Sequence, residues 1–156
     1  MNLYTKSALK QIKLALDSVS TMINQLKEED LHIKALATKR SIGELLEHIS
    51  VLCEADLLIL NGATEGEMSS FYNAHSYKTL EGLQQALEKH YKILEKSFLN
   101  YTENELLEMT TSYWGVTYSR YEWLLEIIAH LYHHRGQLHS LLVYHFKKDL
   151  NVSLFE

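Results

Sequence analysis

The sequence predicts an all-α fold, a four-helix bundle, on three observations. Its 156 residues include no proline and only six glycines, so nothing obliges long helices to break. Apolar residues recur at three- and four-residue spacing over long stretches. Capping signals stand ahead of the stretches that would begin helices two and four.

The first helix is expected over about residues 3–27, where Leu9, Ile12, Leu16, Val19, Ile23 and Leu26 form one stripe. A polar stretch, KEEDLHIKALATKR, separates it from Ser41-Ile42-Gly43-Glu44, a capping box that starts a second helix running to about Leu60. Asn61, Gly62 and Gly66 then predict a stop and a long loop over 61–78 between helices two and three. The third helix is expected over about 79–100, carrying Leu80, Leu83, Ala86, Leu87, Tyr91, Leu94 and Phe98 on one side. Thr102 and Glu105 predict a short extra helical turn, followed by an irregular aromatic segment, TSYWGVTYSRYEW. Ser119 and Glu122 repeat the capping-box spacing ahead of a fourth helix over about 120–146.

Length and composition set limits on function. With 46% apolar and 22% charged residues, the chain reads as one globular domain, residues 1–156, with no repeat or linker. A net charge of −5 gives phosphate backbones no general attraction, so no nucleic-acid partner is expected. No run approaches the roughly 18 to 20 consecutive apolar residues that cross a bilayer, so no membrane partner is expected either. The one cysteine, Cys53, and the amphipathic N-terminus, MNLYTKSALKQIKLAL, predict a cytoplasmic location.

Nine histidines carry the chemical signal, five of them between His130 and His145. His130 and His134 stand four apart, about 40° on a helical wheel, on the stripe of Trp123, Ile127, Leu138 and Leu141. Such a pair can offer two imidazole nitrogens to one ion. His48, placed by the same wheel among Leu45, Leu52, Ala55 and Ile59, is the natural third ligand. Chance alone predicts about half of one i,i+4 pair in this composition, so placement matters more than spacing. Buried histidines cost desolvation unless satisfied, and one ion satisfies several.

Other histidines are set aside. His133 and His139 fall off the inward direction, and His145 returns to it about 16 Å beyond His134. None of the three inward histidines has a glutamate three positions before it, as di-iron bundles require. Leu131 follows His130, where a zinc protease of the His-Glu-x-x-His kind would have its glutamate. Cys53 lies about 140° from His48 and is expected to face away from it.

Three segments, SIGELLEHI, WGVTYSRYEW and the final-helix run LLEIIAHLYHHRGQLH, resemble the bacterial DinB/YfiT superfamily. The most specific element is a histidine four residues ahead of a second one that directly precedes Arg-Gly-Gln, matched by His130, His134, Arg135, Gly136 and Gln137. The resemblance covers nearly the whole chain. It implies an up-down-down-up bundle, frequently a homodimer, with a three-histidine metal site on His48, His130 and His134. It also implies a divalent cofactor (zinc, nickel or iron-type) and, by analogy with characterised relatives, a low-molecular-weight thiol such as bacillithiol.

Three neutral imidazoles leave a divalent ion its full charge and at least one ligand position, as in catalytic sites. The expected activities are therefore metal-dependent thiol S-transfer or hydrolysis of a small-molecule substrate, with no general base evident in the sequence. The alternative is a non-catalytic dimeric bundle that the metal stabilises or that senses the metal. The 61–78 loop and the aromatic segment with Tyr113, Trp114 and Tyr118 are candidate pocket walls, although aromatics at bundle ends more often cap the core. Arg135 is expected to pair with an acidic group on a neighbouring helix, Gly136 to permit close helix approach, and Gln137 to orient a group behind the ligands.

Overall fold

The computed structural model of the chain describes residues 2–156. Six α-helices follow in order: α1 (Leu3–Ile23), α2 (Ile42–Leu60), α3 (Glu65–Ala74), α4 (Leu80–Asn100), α5 (Glu103–Leu107) and α6 (Arg120–Phe146). Two short strands, β1 (Met109–Thr111) and β2 (Thr117–Ser119), pair as an antiparallel hairpin between α5 and α6. The fold is mostly helical rather than purely so.

Caps explain where the helices begin. Asn2 accepts hydrogen bonds from the backbone of Tyr4 and Thr5 at the start of α1. The expected capping boxes at Ser41/Glu44, Thr102/Glu105 and Ser119/Glu122 all form. Helix α1 ends at Ile23, short of residue 27, because Gln25 and Leu26 bond back to Met22 and Ile23 and tighten the end into turns. The predicted 61–78 loop is largely α3, started by a fourth capping box at Thr64/Glu67. Met68 and Phe71 of α3 bury against Val51, Ala55 and Ile59 of α2, and this packing fixes the helix there.

Helices α1 and α2 each pack against both α4 and α6. Between them lies one apolar core, with Ile12, Val19 and Met22 from α1, Leu46, Ile49 and Leu52 from α2, Leu83, Leu94 and Phe98 from α4, and Leu124, Ile127 and Leu131 from α6. Cys53 sits in this core, its thiol pushed up from its ordinary value by burial.

Two features outside the long helices shape the site. A 3-10 turn at Glu28–His32 presses on α2 where Gly43 lies: a Cβ there would stand 2.9 Å from the Leu31 carbonyl oxygen. The chain then loops out and returns through a bridge between Lys34 and Ser41, with Ile42 N–H donating to the Ile33 carbonyl at 2.9 Å. The loop over residues 34–41 is thus tied at both ends beside the start of α2.

The tail beyond α6 folds back on the bundle. Leu150 is buried, and its carbonyl accepts from Gln25 Nε2 at 2.9 Å. Arg135, only 4% exposed, donates to the Leu154 carbonyl at 2.5 Å and to Ser18 Oγ at 3.3 Å, with its guanidinium over the Tyr132 and Phe155 rings. It therefore clamps the tail instead of pairing with the expected acid. Gly136 is exposed, and a Cβ there would meet nothing within 4 Å, so it permits no close helix approach.

Candidate metal centre

Helices α2 and α6 bring His48, His130 and His134 together. His48 Nε2 lies 3.0 Å from His134 Nε2 and 3.4 Å from His130 Nε2. One nitrogen from each ring falls within 4.8 Å of the others. A tetrahedral ion with bonds of roughly 2.0–2.1 Å needs nitrogens about 3.3 Å apart, so the donor set fits a zinc-like ion.

Partners behind two of the rings fix which nitrogen is offered. His130 Nδ1 lies 2.8 Å from Asp56 Oδ2, and His134 Nδ1 lies 2.8 Å from Gln137 Oε1. Both acceptors require a proton on Nδ1, which leaves both Nε2 lone pairs turned toward His48. Without an ion, one proton on His48 Nε2 can serve the cluster by donating to His134. A second group, Asp56, Glu126 and His130, also brings donor atoms within 4.8 Å of one another. Neutral His130 cannot serve both sets, because its Nδ1 proton is committed to Asp56.

Electrostatics follow burial and neighbours. Burial, then Arg40 and the two other histidines, pushes His48 down to about 3. Burial also lowers His134, against its bond to Gln137. His130 is pulled down by burial but ends above its ordinary value because Asp56 bonds to it and, with Glu126, attracts its positive form. Glu126 is raised by burial and by the charge of Asp56. At neutral pH, His48 and His134 are therefore available as neutral donors.

The remaining residues sort cleanly. His133 and His145 are exposed and His139 half-buried, so His145 does not lie on the inward stripe as the wheel suggests. Cys53 does not join the cluster. Gln137 takes the orienting role expected of it. Asp56 and Glu126 were not singled out by the sequence, although Asp56 is the most deeply buried acid of α2 and Glu126 sits one turn before His130.

Two cavities adjoin the histidines, and they share Thr38, Lys39 and Arg40. The first, about 480 Å³, is lined by His48, Glu47, Tyr72 and His75 among others. The second, about 710 Å³, is lined by His134, Gln137, Leu45, Leu141 and Tyr144 among others. Tyr72, held up to about 12 by burial and Asp56, and His75 come from the 61–78 segment, as expected of a pocket wall. Tyr113, Trp114 and Tyr118 form an aromatic group with Trp123 at the hairpin and line neither cavity. The wall that sequence reading missed is the 34–40 loop.

Fold and site together define a helical bundle with a histidine cluster able to hold a metal ion. The sequence matches the DinB family over residues 1–143, and the chain belongs to that family. A DinB family structure from Exiguobacterium sibiricum superposes with a TM-score of 0.88 at 32% identity, covering 99% of each chain. A DinB-like protein from Bacillus cereus gives 0.75 at 17% identity over 95% of this chain and 96% of that one. The mycothiol-dependent maleylpyruvate isomerase gives 0.66 at 13% identity, covering 88% of this chain and 63% of the isomerase, a likeness of fold. No curated protein matches the sequence. No helix among the described residues is long and apolar enough to cross a membrane.

Proposed function

We propose that the chain is a metal-dependent enzyme that transfers a low-molecular-weight thiol to an electrophilic small molecule. The convergence of His48, His130 and His134 Nε2 atoms, with Asp56 and Gln137 fixing two of the tautomers, carries this reading. In this proposal the three histidines are the ligands of a divalent ion of zinc, nickel or iron type. When bound, such an ion lowers the pKa of a thiol or water beside it.

The presence of two cavities flanking one centre favours transfer between two substrates over hydrolysis, which needs one substrate and water. Glu126 lies with Asp56 beside His130, behind the ligand set. In the transfer, the thiol proton passes to water and the sulfur bonds to an electrophilic carbon. The leaving group departs with the electron pair of the broken bond and recovers the proton. The thiol of the related isomerase, mycothiol, supports this class of co-substrate, and bacillithiol is another of the same kind.

The same proposal takes the four long helices in the up-down-down-up order that the family resemblance implies, the protein as a homodimer, and its location as cytoplasmic. Elemental analysis of untagged protein tests the centre. One ion per chain is expected for the wild type and His133→Ala, and a loss of at least tenfold in occupancy for His48→Ala, His130→Ala or His134→Ala. Equal occupancy in His130→Ala and His133→Ala overturns the ligand assignment. Stoichiometric metal with no conjugation of any thiol to electrophiles such as monochlorobimane would favour the metal-stabilised, non-catalytic bundle.

A further inference from the structure

We infer that Lys39 and Arg40 form an oxyanion subsite shared by the two cavities, so that a substrate of this centre carries a carboxylate or phosphate group. The inference deepens the proposed function and takes the position of the metal centre from it.

Lys39 and Arg40 line both cavities, one of which opens on His48 and the other on His134. Their loop is tied down by the Lys34–Ser41 bridge, by Lys39 N–H donating to the Leu36 carbonyl at 3.0 Å, and by Ser41 capping α2. A short loop held at both ends adds little backbone ordering cost on binding.

The acids beside these cavities already have partners: Glu44 lies 3.7 Å from Lys34, and Glu47 lies 3.0 Å from Lys78 and accepts the Tyr77 N–H at 2.8 Å. Asp56 is committed to His130. Among the described residues, neither Lys39 nor Arg40 has a carboxylate within 4.0 Å. Two unpaired cations thus stand beside a centre whose three ligands are neutral and whose ion adds positive charge. An anionic substrate relieves that repulsion, and the planar fork of Arg40 matches a carboxylate or phosphate in two parallel bonds.

Ala35, Leu45, Leu141 and Tyr144 line the larger cavity, so the molecule held there has an apolar body behind its charged end.

Calorimetric titration of the zinc-loaded full chain tests the subsite, with 3-mercaptopropionate, its neutral methyl ester, propionate and methyl phosphate as probes. The acid is expected to bind at least about tenfold more tightly than the ester, the usual scale of a hydrogen bond to a charged group. Arg40→Gln is expected to abolish that preference and Lys39→Gln to reduce it, with ester affinity and zinc content unchanged. Both positions are exposed, and circular dichroism checks that both variants stay folded. Propionate, which like methyl phosphate lacks a thiol, is the matched comparison: tighter binding of methyl phosphate marks a phosphate-type ligand, and tighter binding of propionate marks a carboxylate. An acid-to-ester ratio unchanged in both variants overturns the subsite. Failure of the wild type to take up zinc overturns the metal centre instead, and the acid-to-ester ratio of the metal-free chain then decides the subsite separately.

Discussion

Asp56→Asn is the substitution that most sharply separates a metal centre from a merely hydrogen-bonded histidine cluster. Asp56 is 7% exposed and its Oδ2 lies 2.8 Å from His130 Nδ1. The amide is nearly the same size, so packing is preserved while the negative charge is lost. Its NH2 group can also turn toward Nδ1 and favour the wrong tautomer, with the Nε2 lone pair capped by a proton. Loss of such a partner typically weakens metal binding about 10- to 100-fold. With zinc at about 100 times the wild-type Kd, binding stabilises the wild type by about 2.7 kcal/mol, and the variant by only about 0.4 to 1.4 kcal/mol. For a domain of this size, each kcal/mol moves Tm by roughly 2–4 °C, so the zinc-induced shift should fall from about 5–11 °C to about 1–6 °C. Differential scanning fluorimetry with and without zinc reads the shift, and competition with a chromophoric chelator reads the affinity. Wild-type zinc affinity in Asp56→Asn would refute the argument that this carboxylate fixes the ligating nitrogen.

The metal-free protein should lose stability on acidification from pH 6.5 toward about 3, because burial holds His48 and His134 below their unfolded value. The unfolded chain binds more protons in that window, so this contribution to stability is full above it and falls progressively within it. His130, raised by Asp56 and Glu126 after opposing burial, works in the opposite sense, contributing stability below 6.5 that is lost as pH rises. His48→Gln should therefore flatten the acid-side loss in urea melts, and an unchanged slope would refute this. Gly43→Ala should destabilise by about 1–3 kcal/mol, because the added Cβ meets the Leu31 carbonyl oxygen at 2.9 Å. Gly136→Ala should stabilise by about 0.5–1 kcal/mol, since it adds helix propensity in open space. Chemical denaturation that ranked these two the other way would contradict the packing described. Arg135→Ala should cost about 1–3 kcal/mol by freeing the Leu154 carbonyl and the Phe155 ring. It should also raise proteolytic cleavage after residue 147, and an unchanged cleavage rate would show that the tail is held without the Arg135 contacts.

The parts of this protein that were legible from sequence are those set by local periodicity. The bounds of α6 follow from Ser119, Glu122 and an unbroken stripe, and the inward direction of His48, His130 and His134 follows from the same wheel. Gln137 is legible because it lies three residues from His134 on the same helix. Helix α3 was hidden although Thr64 and Glu67 have capping-box spacing. Gly62 and Gly66 read as loop, and what holds α3 is burial of Met68 and Phe71 on α2. Asp56 and the 34–40 loop act across tertiary contacts, between α2 and α6 and over two cavities, and no single-helix wheel carries that information.

One ring joins these contacts. His130 presents Nε2 to His48 and Nδ1 to Asp56, and both partners lie on α2, eight residues apart. Eight residues span about 12 Å of helix axis, so the imidazole is held between two positions roughly two turns apart. A slide of α6 along α2 by one turn, about 5.4 Å, would break both contacts at once and strand a buried carboxylate. The close-packed apolar stripe between the helices would be misfitted by the same slide, so core and polar contacts agree on one register. The geometry of the histidine cluster is a product of that register rather than an addition to a finished bundle.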